Sequence, residues 1–254
     1  MSGKDRIFVA VDVQTAEEAL DLVRELRGEV GGFKLGLELL TSNNARFATL
    51  ERDAAIVALD AYRELISLIG GGLGYDGKFC DISNTVAGAT LALQPLAPSW
   101  LNVHASAGID AMMGAVANKG HSKVAAVTVS TSLDAVNAEL VFGMSVQAKV
   151  LQFARDARLA GVDALICSPA DLPFLVARPE LKGLDYFTPG VRPAGSDKRD
   201  QARTDTPGGA IKAGAKYVII GDPITQPKTG TRVEAARSIA AEIEQAEAEM
   251  AAAA

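Results

Sequence analysis

Short apolar runs alternate along the chain with longer runs that place apolar residues at helical spacing. Ile7-Phe8-Val9-Ala10-Val11-Asp12-Val13 reads as a buried strand that delivers Asp12 near its C-terminal end. Thr15 stands where a helix cap belongs, with Glu17 and Glu18 in the first turn, Arg24 and Arg27 near the end, and Gly28, Gly31 and Gly32 as the stop. Phe33 to Leu37 is a second strand, with Lys34 its only charge. Thr41 to Asn44 opens a segment in which Ile56, Leu59, Tyr62, Leu65, Ile66 and Ile69 predict one long helix within 41–69. Leu73 to Phe79 follows as a third strand.

Further strands are predicted at Trp100–Ser106, Val124–Val129, Asp163–Cys167, Tyr186–Pro189 and Tyr217–Gly221. Between and after them, helical patterns cover Asn84–Leu93, Met112–Asn118, Met144–Ala160, Leu172–Ala177, Gly209–Ala213 and Arg232–Met250. Gly190 to Pro207 is a long polar loop. Eight strands alternating with helices, without a clear linker, predict an α/β fold: a (β/α)8 TIM barrel, single domain, over residues 1–254. An open doubly wound sheet is the alternative. It fits less well because no glycine-rich phosphate fingerprint follows the first strand, and Gly70-Gly71-Gly72-Leu73-Gly74 precedes a strand rather than opening a helix.

Composition narrows the function. Hydrophobic residues make up 48% and charged residues 22%, the balance of a packed globular chain. A net charge of −6 argues against binding nucleic acid through its phosphates, so no nucleic-acid partner is expected. Cys80 and Cys167 are too few for a disulfide framework, and with His104 and His121 they do not suggest a structural zinc site. The cysteines are expected as core or site-wall thiols, and His104 as a hydrogen-bonded strand-end residue. The apolar run Ile7–Val11 is too short for a signal-peptide core or a membrane span, so a cytoplasmic protein without a membrane partner is expected.

The chemistry concentrates in Asp76-Gly77-Lys78-Phe79-Cys80-Asp81-Ile82-Ser83-Asn84-Thr85. On a strand, Asp76 and Lys78 share a face, and paired opposite charges on a buried face call for a reason. Local rules also allow a bland reading: Asp-Gly is a turn signal, glycines precede it, and 70–78 becomes a solvated loop. Lys34 has a bland reading too, as a strand lysine that reaches for solvent. In a barrel, however, Asp12, Lys34, Asp76, Lys78, Asp81, Thr131, Arg192 and Gln201 all fall at strand C-termini or in the loops after them, where barrels carry their chemistry. A lysine flanked by carboxylates serves as a proton donor or a Schiff-base amine, and the acids favour its charged form and so the first role.

The pattern Asp76-x-Lys78-x-x-Asp81-Ile82-x-Asn84-Thr85 resembles the active-site signature of the orotidine 5'-phosphate decarboxylases. The likeness runs over nearly the whole chain. Asp12 and Lys34 match the family's ribose and catalytic positions. Asn102-Val103-His104-Ala105-Ser106 is similar to its fourth strand, and Ala126-Val127-Thr128-Val129 with Thr131 to its fifth. Thr188-Pro189-Gly190-Val191-Arg192-Pro193, with Gly195-Ser196-Asp197 and Gln201, is similar to its phosphate loop. The resemblance implies loss of carbon dioxide from orotidine 5'-phosphate, in pyrimidine synthesis, with no cofactor and no metal. It implies catalytic Lys34, Asp76, Lys78 and Asp81. It implies substrate contacts from Asp12, Ile82, Thr85, Thr131, Pro189, Arg192, Gln201, Gly221 and Asp222. It also implies a homodimer, in which Asp81, Ile82 and Thr85 enter the partner's site.

Three departures stand out. Ser83 replaces the family's usual proline, and the segment between Lys34 and Asp76 is longer than usual. After the last strand the chain reads Gly221-Asp222-Pro223-Ile224, where the family places a phosphate-binding arginine in the position of Asp222. Asp222 turns outward, or was altered deliberately, or the substrate lacks phosphate there. Two other readings stay open: a metal-dependent sugar-phosphate decarboxylase or aldolase on the same barrel, and a silent nucleotide-binding homologue.

Overall fold

The computed structural model describes residues 1–193 and 205–253. Gln201, Arg199, Arg203 and Gly195-Ser196-Asp197 therefore lie outside the described residues. Eight parallel strands close into a barrel in chain order: β1 (Ile7–Val11), β2 (Gly32–Gly36), β3 (Leu73–Phe79), β4 (Trp100–His104), β5 (Lys123–Val127), β6 (Ala164–Ile166), β7 (Asp185–Pro189) and β8 (Tyr217–Ile220), with β8 pairing back to β1. This is the (β/α)8 barrel expected from the alternation of apolar runs.

Alternate residues on each strand build two cores. Ile7, Val9, Leu35, Leu101, Val103, Leu165 and Val218 point outward and pack under the helices. Phe8, Trp100, Phe187 and Ile219 fill the interior. The rings of Trp100 and Phe187 lie 5.2 Å apart, and Phe187 stacks on Tyr217 at 4.7 Å. They form an aromatic floor beneath the C-terminal rim. Gly74 makes room for it, since a Cβ there would come 2.4 Å from the Trp100 ring.

The helices are α1 (Ala16–Leu26), α2 (Leu37–Thr49), α3 (Arg52–Ile69), α4 (Ser83–Ala92), α5 (Ile109–Asn118), α6 (Ala135–Phe142), α7 (Val146–Leu159), α8 (Leu172–Val176), α9 (Pro207–Lys212), α10 (Asp222–Thr225) and α11 (Arg232–Ala252). Thr15 caps α1 as expected, its hydroxyl accepting from the Glu18 N–H at 3.2 Å. Leu37 begins α2 instead of ending β2. The predicted single helix in 41–69 is two, broken at Leu50 and Glu51, whose extended backbone interrupts the ladder. The helices α6 and α10 were not expected. In α6, Val136, Leu140 and Val141 are exposed, so it lacks the one-sided apolar stripe by which helices are recognised. None of the helices among the described residues is long and apolar enough to cross a membrane.

Candidate active site

Lys34, central in β2, has glycine two residues to either side on the same inward face. It is 8% exposed and Asp76 is 6% exposed. Lys34 Nζ lies 2.9 Å from Asp12 Oδ1 and 3.1 Å from Asp76 Oδ2. Asp76 Oδ1 takes the Lys78 ammonium. The order along the rim is therefore Asp12, Lys34, Asp76, Lys78, an unbroken alternation of sign.

Gly36 leaves room for these charged groups. A Cβ on it would lie 2.7 Å from Lys34 Nζ and 3.1 Å from Asp12 Oδ1. Lys78 occupies a β-bulge and has φ +51°, the left-handed region that costs a residue with a Cβ about 1–2 kcal/mol. Asn102 supports the bulge: its Oδ1 accepts from the Lys78 backbone N–H at 2.8 Å, and its Nδ2 donates to Asp76 Oδ1. Asn102 was legible only as part of a strand likeness. The signal for a role was its own polarity within a fully buried strand.

Burial opposes the charge on Lys34, yet Asp76 and Asp12 outweigh it and hold the ammonium pKa above its ordinary value. Burial likewise opposes the charge on Asp76. Lys34 and Lys78, with hydrogen bonds from Lys78 and Asn102, prevail and lower its pKa. His104, at the end of β4, has its pKa lowered by burial and then by Lys78, with Asp76 partly offsetting. It does not line the cavity, and its ring makes no hydrogen bond among the described residues, contrary to expectation.

The charged rim opens into a cavity of about 390 Å³. Asp12, Lys34, Asp76, Lys78, Thr131, Pro189, Arg192, Gly221 and Asp222 line it, so nine residues from distant parts of the sequence meet in one cavity. Apolar walls come from Val127, Ile166 and Ile219, and Cys167 completes one side. Cys80 is exposed instead, 3.9 Å from Ser106 Oγ. Asp222 belongs to the cavity lining at the start of α10, which disfavours the outward-turned alternative. The Arg192 N–H donates to the Asp205 carbonyl at 2.9 Å, joining the two described ends around 194–204.

Asp81, Ile82 and Thr85 do not line this cavity. They are exposed at the start of α4, Ile82 by 71%. Asp81 Oδ1 accepts from the Ile82 N–H at 2.6 Å.

A closed parallel barrel with a buried lysine–carboxylate relay on its C-terminal rim defines an α/β-barrel enzyme site. The family model described as "Orotidine 5'-phosphate decarboxylase / HUMPS family" matches residues 5–239, and the chain belongs to that family. Two proteins named orotidine 5'-phosphate decarboxylase are similar over their length. The one from Moorella thermoacetica is 40% identical, with 96% of this chain and 94% of that protein covered. The one from Syntrophomonas wolfei is 36% identical, with 96% and 100% covered. A crystal structure of orotidine 5'-phosphate decarboxylase from Lactobacillus acidophilus superposes with a TM-score of 0.71 at 25% identity, covering 93% of this chain and 98% of that one.

Proposed function

We propose that this chain is a carboxy-lyase that converts orotidine 5'-phosphate to uridine 5'-phosphate and carbon dioxide, in pyrimidine synthesis, with neither metal nor organic cofactor. Family membership supports the decarboxylation. The observation that carries the mechanism is Asp76 held between Lys34 and Lys78 in the wall of one cavity.

In this reading the bond between the pyrimidine carbon and its carboxylate breaks, and the electron pair stays on the carbon. Lys78 stabilises that developing charge and gives it a proton from Nζ, while carbon dioxide leaves past Asp76. Solvent then reprotonates Lys78. Lys34 joins Asp76 and Lys78 in the charge network, Asp12 holds the ribose, and Thr131 contacts the pyrimidine. Pro189, Arg192, Gln201 and Gly221 hold the phosphate end. Because the charges are set before substrate arrives, little reorganisation accompanies the reaction.

Beside Lys34, Asp76 and Lys78, the fourth charge of the catalytic network is Asp81. Its exposure outside its own chain's cavity, shared by Ile82 and Thr85, supports a homodimer in which the three complete the partner's site. The single barrel domain, the cytoplasmic location and the lack of a nucleic-acid partner belong to the same proposal, the last supported by the net charge of −6.

Asp222 favours a second reading, a homologue that binds nucleotide without turnover, since a carboxylate in the wall repels phosphate. Decarboxylation of orotidine 5'-phosphate, measured with and without chelator, separates the readings. Metal-independent turnover is expected. Chelator-sensitive turnover of another sugar phosphate would select the metal-dependent relatives, and binding without turnover the silent homologue.

A further inference from the structure

We propose that Asn102 is a positioning residue for this reaction: one buried amide sets both the path of the Lys78 backbone and the orientation of the Asp76 carboxylate. The inference rests on the proposed decarboxylation and adds to it a residue that substrate does not touch.

Asn102 is fully buried in the middle of β4 and shares the inward face with Trp100. The pairing of β3 with β4 shifts at this height. Tyr75 pairs with Leu101 and Phe79 with Val103, so Asp76, Gly77 and Lys78 all lie opposite Asn102. A bulge of this kind takes backbone groups out of the ladder, and a buried N–H must then find another acceptor. For Lys78 the acceptor is Asn102 Oδ1, at 2.8 Å.

The other end of the same amide donates to Asp76 Oδ1, the oxygen that also takes Lys78 Nζ. A closed ring results: Lys78 backbone, Asn102 amide, Asp76 carboxylate, Lys78 ammonium. Only one orientation of the amide serves both bonds, because the reverse sets NH2 against N–H and C=O against carboxylate. Lys78 is held in the left-handed region, where its backbone does not rest by preference. Asp76 is held with Oδ2 turned to Lys34. Asn102 itself is outside the cavity lining.

Two substitutions take the ring apart differently. Asn102→Ala removes both bonds. Asn102→Asp keeps an acceptor for the Lys78 N–H but sets a second carboxylate against Asp76. Once protonated, that aspartic acid has the shape of the amide and regains a donor. The test measures kcat and KM for orotidine 5'-phosphate from pH 5 to 8, with folding followed by circular dichroism.

For Asn102→Ala, kcat is expected to fall about a hundredfold with KM within about threefold of the unmodified enzyme, as for a misplaced catalytic group. Asn102→Asp is expected to be at least as slow at pH 8 and to recover, relative to the unmodified enzyme, as pH falls. An Asn102→Ala kcat within about twofold of the unmodified value, or an Asn102→Asp profile parallel to it, overturns the role. Where Asn102→Ala does not fold, the Asn102→Asp profile decides. Crystal structures need no turnover: in Asn102→Ala, Lys78 is expected to leave the left-handed region, in Asn102→Asp the contact with Asp76 is expected to open, and an unchanged Lys78 backbone and Asp76 carboxylate in these variants would overturn the inference. Absence of turnover in the unmodified enzyme counts against the proposed reaction, and this structural comparison then decides the role of Asn102.

Discussion

Lys34 and Lys78 share one carboxylate: Asp76 meets Lys34 through Oδ2 at 3.1 Å and Lys78 through Oδ1. Each ammonium is thus fixed relative to the other. Neutralising Asp76 leaves two cations facing one cavity, with Lys34 buried. Asp76→Asn is expected to lower the free energy of unfolding by about 3 kcal/mol, the range for breaking a buried ion pair. Urea denaturation measures it. A loss below about 0.5 kcal/mol would mean the carboxylate does not hold the lysines together.

The same network sets a pH window. The lowered Asp76 pKa means that its contribution to stability is complete above the ordinary value of 3.8 and is lost as pH falls from there through the folded-state pKa. The raised Lys34 pKa means a contribution complete below 10.5 and lost as pH rises from there through its own folded-state value. Melting temperatures between pH 5 and 3, and between pH 10 and 11.5, are therefore expected to fall more steeply for the unmodified chain than for Asp76→Asn. Parallel curves would assign both losses to other groups.

Gly36→Ala tests how closely the Lys34 ammonium must be placed. The new Cβ would press on Lys34 Nζ, the end of a flexible side chain, and on Asp12 Oδ1. Stability is expected to change by less than about 1 kcal/mol, while kcat/KM falls about ten- to a hundredfold. Equal activity would show that Lys34 can move without consequence.

Asp222→Arg restores the charge that the family places after the last strand. A unit charge 4 Å away contributes about 1 kcal/mol in water and about 4 at an effective dielectric of 20, so reversing its sign swings roughly 2 to 8 kcal/mol per unit of phosphate charge. Solvent screening at a half-buried position favours the low end. KM for the nucleotide is expected to fall at least about tenfold, with Asp222→Asn between the two. No gain would make the reversal irrelevant to phosphate binding.

Much of this was legible in the sequence because a parallel barrel buries its strands on both faces and writes them as apolar runs. Any charge within such a run then stands out, as Lys34 and Asp76 do. The Asp76-Gly77-Lys78 stretch was harder. Its i, i+2 spacing gives the correct meeting of side chains, but by way of a bulge and a left-handed lysine, not a regular strand. Local turn rules read the same glycine as a solvated loop, and only the pairing of β3 on both sides excludes that. The roles of Gly36 and Asn102 were not read, because they consist of distances to residues far away in sequence. Leu37 and the break at Leu50 fell at element boundaries, where tertiary packing overrides local pattern.

The most direct measurement mixes two inactive variants. In the proposed mechanism Lys78→Ala removes the proton donor of its own site, and Asp81→Ala removes the acid that each chain would lend its partner. Each alone is expected to fall at least about a thousandfold in kcat. After unfolding and refolding an equal mixture, about a quarter of all sites would combine an intact Lys78 with a partner's intact Asp81, and decarboxylation of orotidine 5'-phosphate should recover to about that fraction. A mixture no more active than its components would contradict the shared four-charge site.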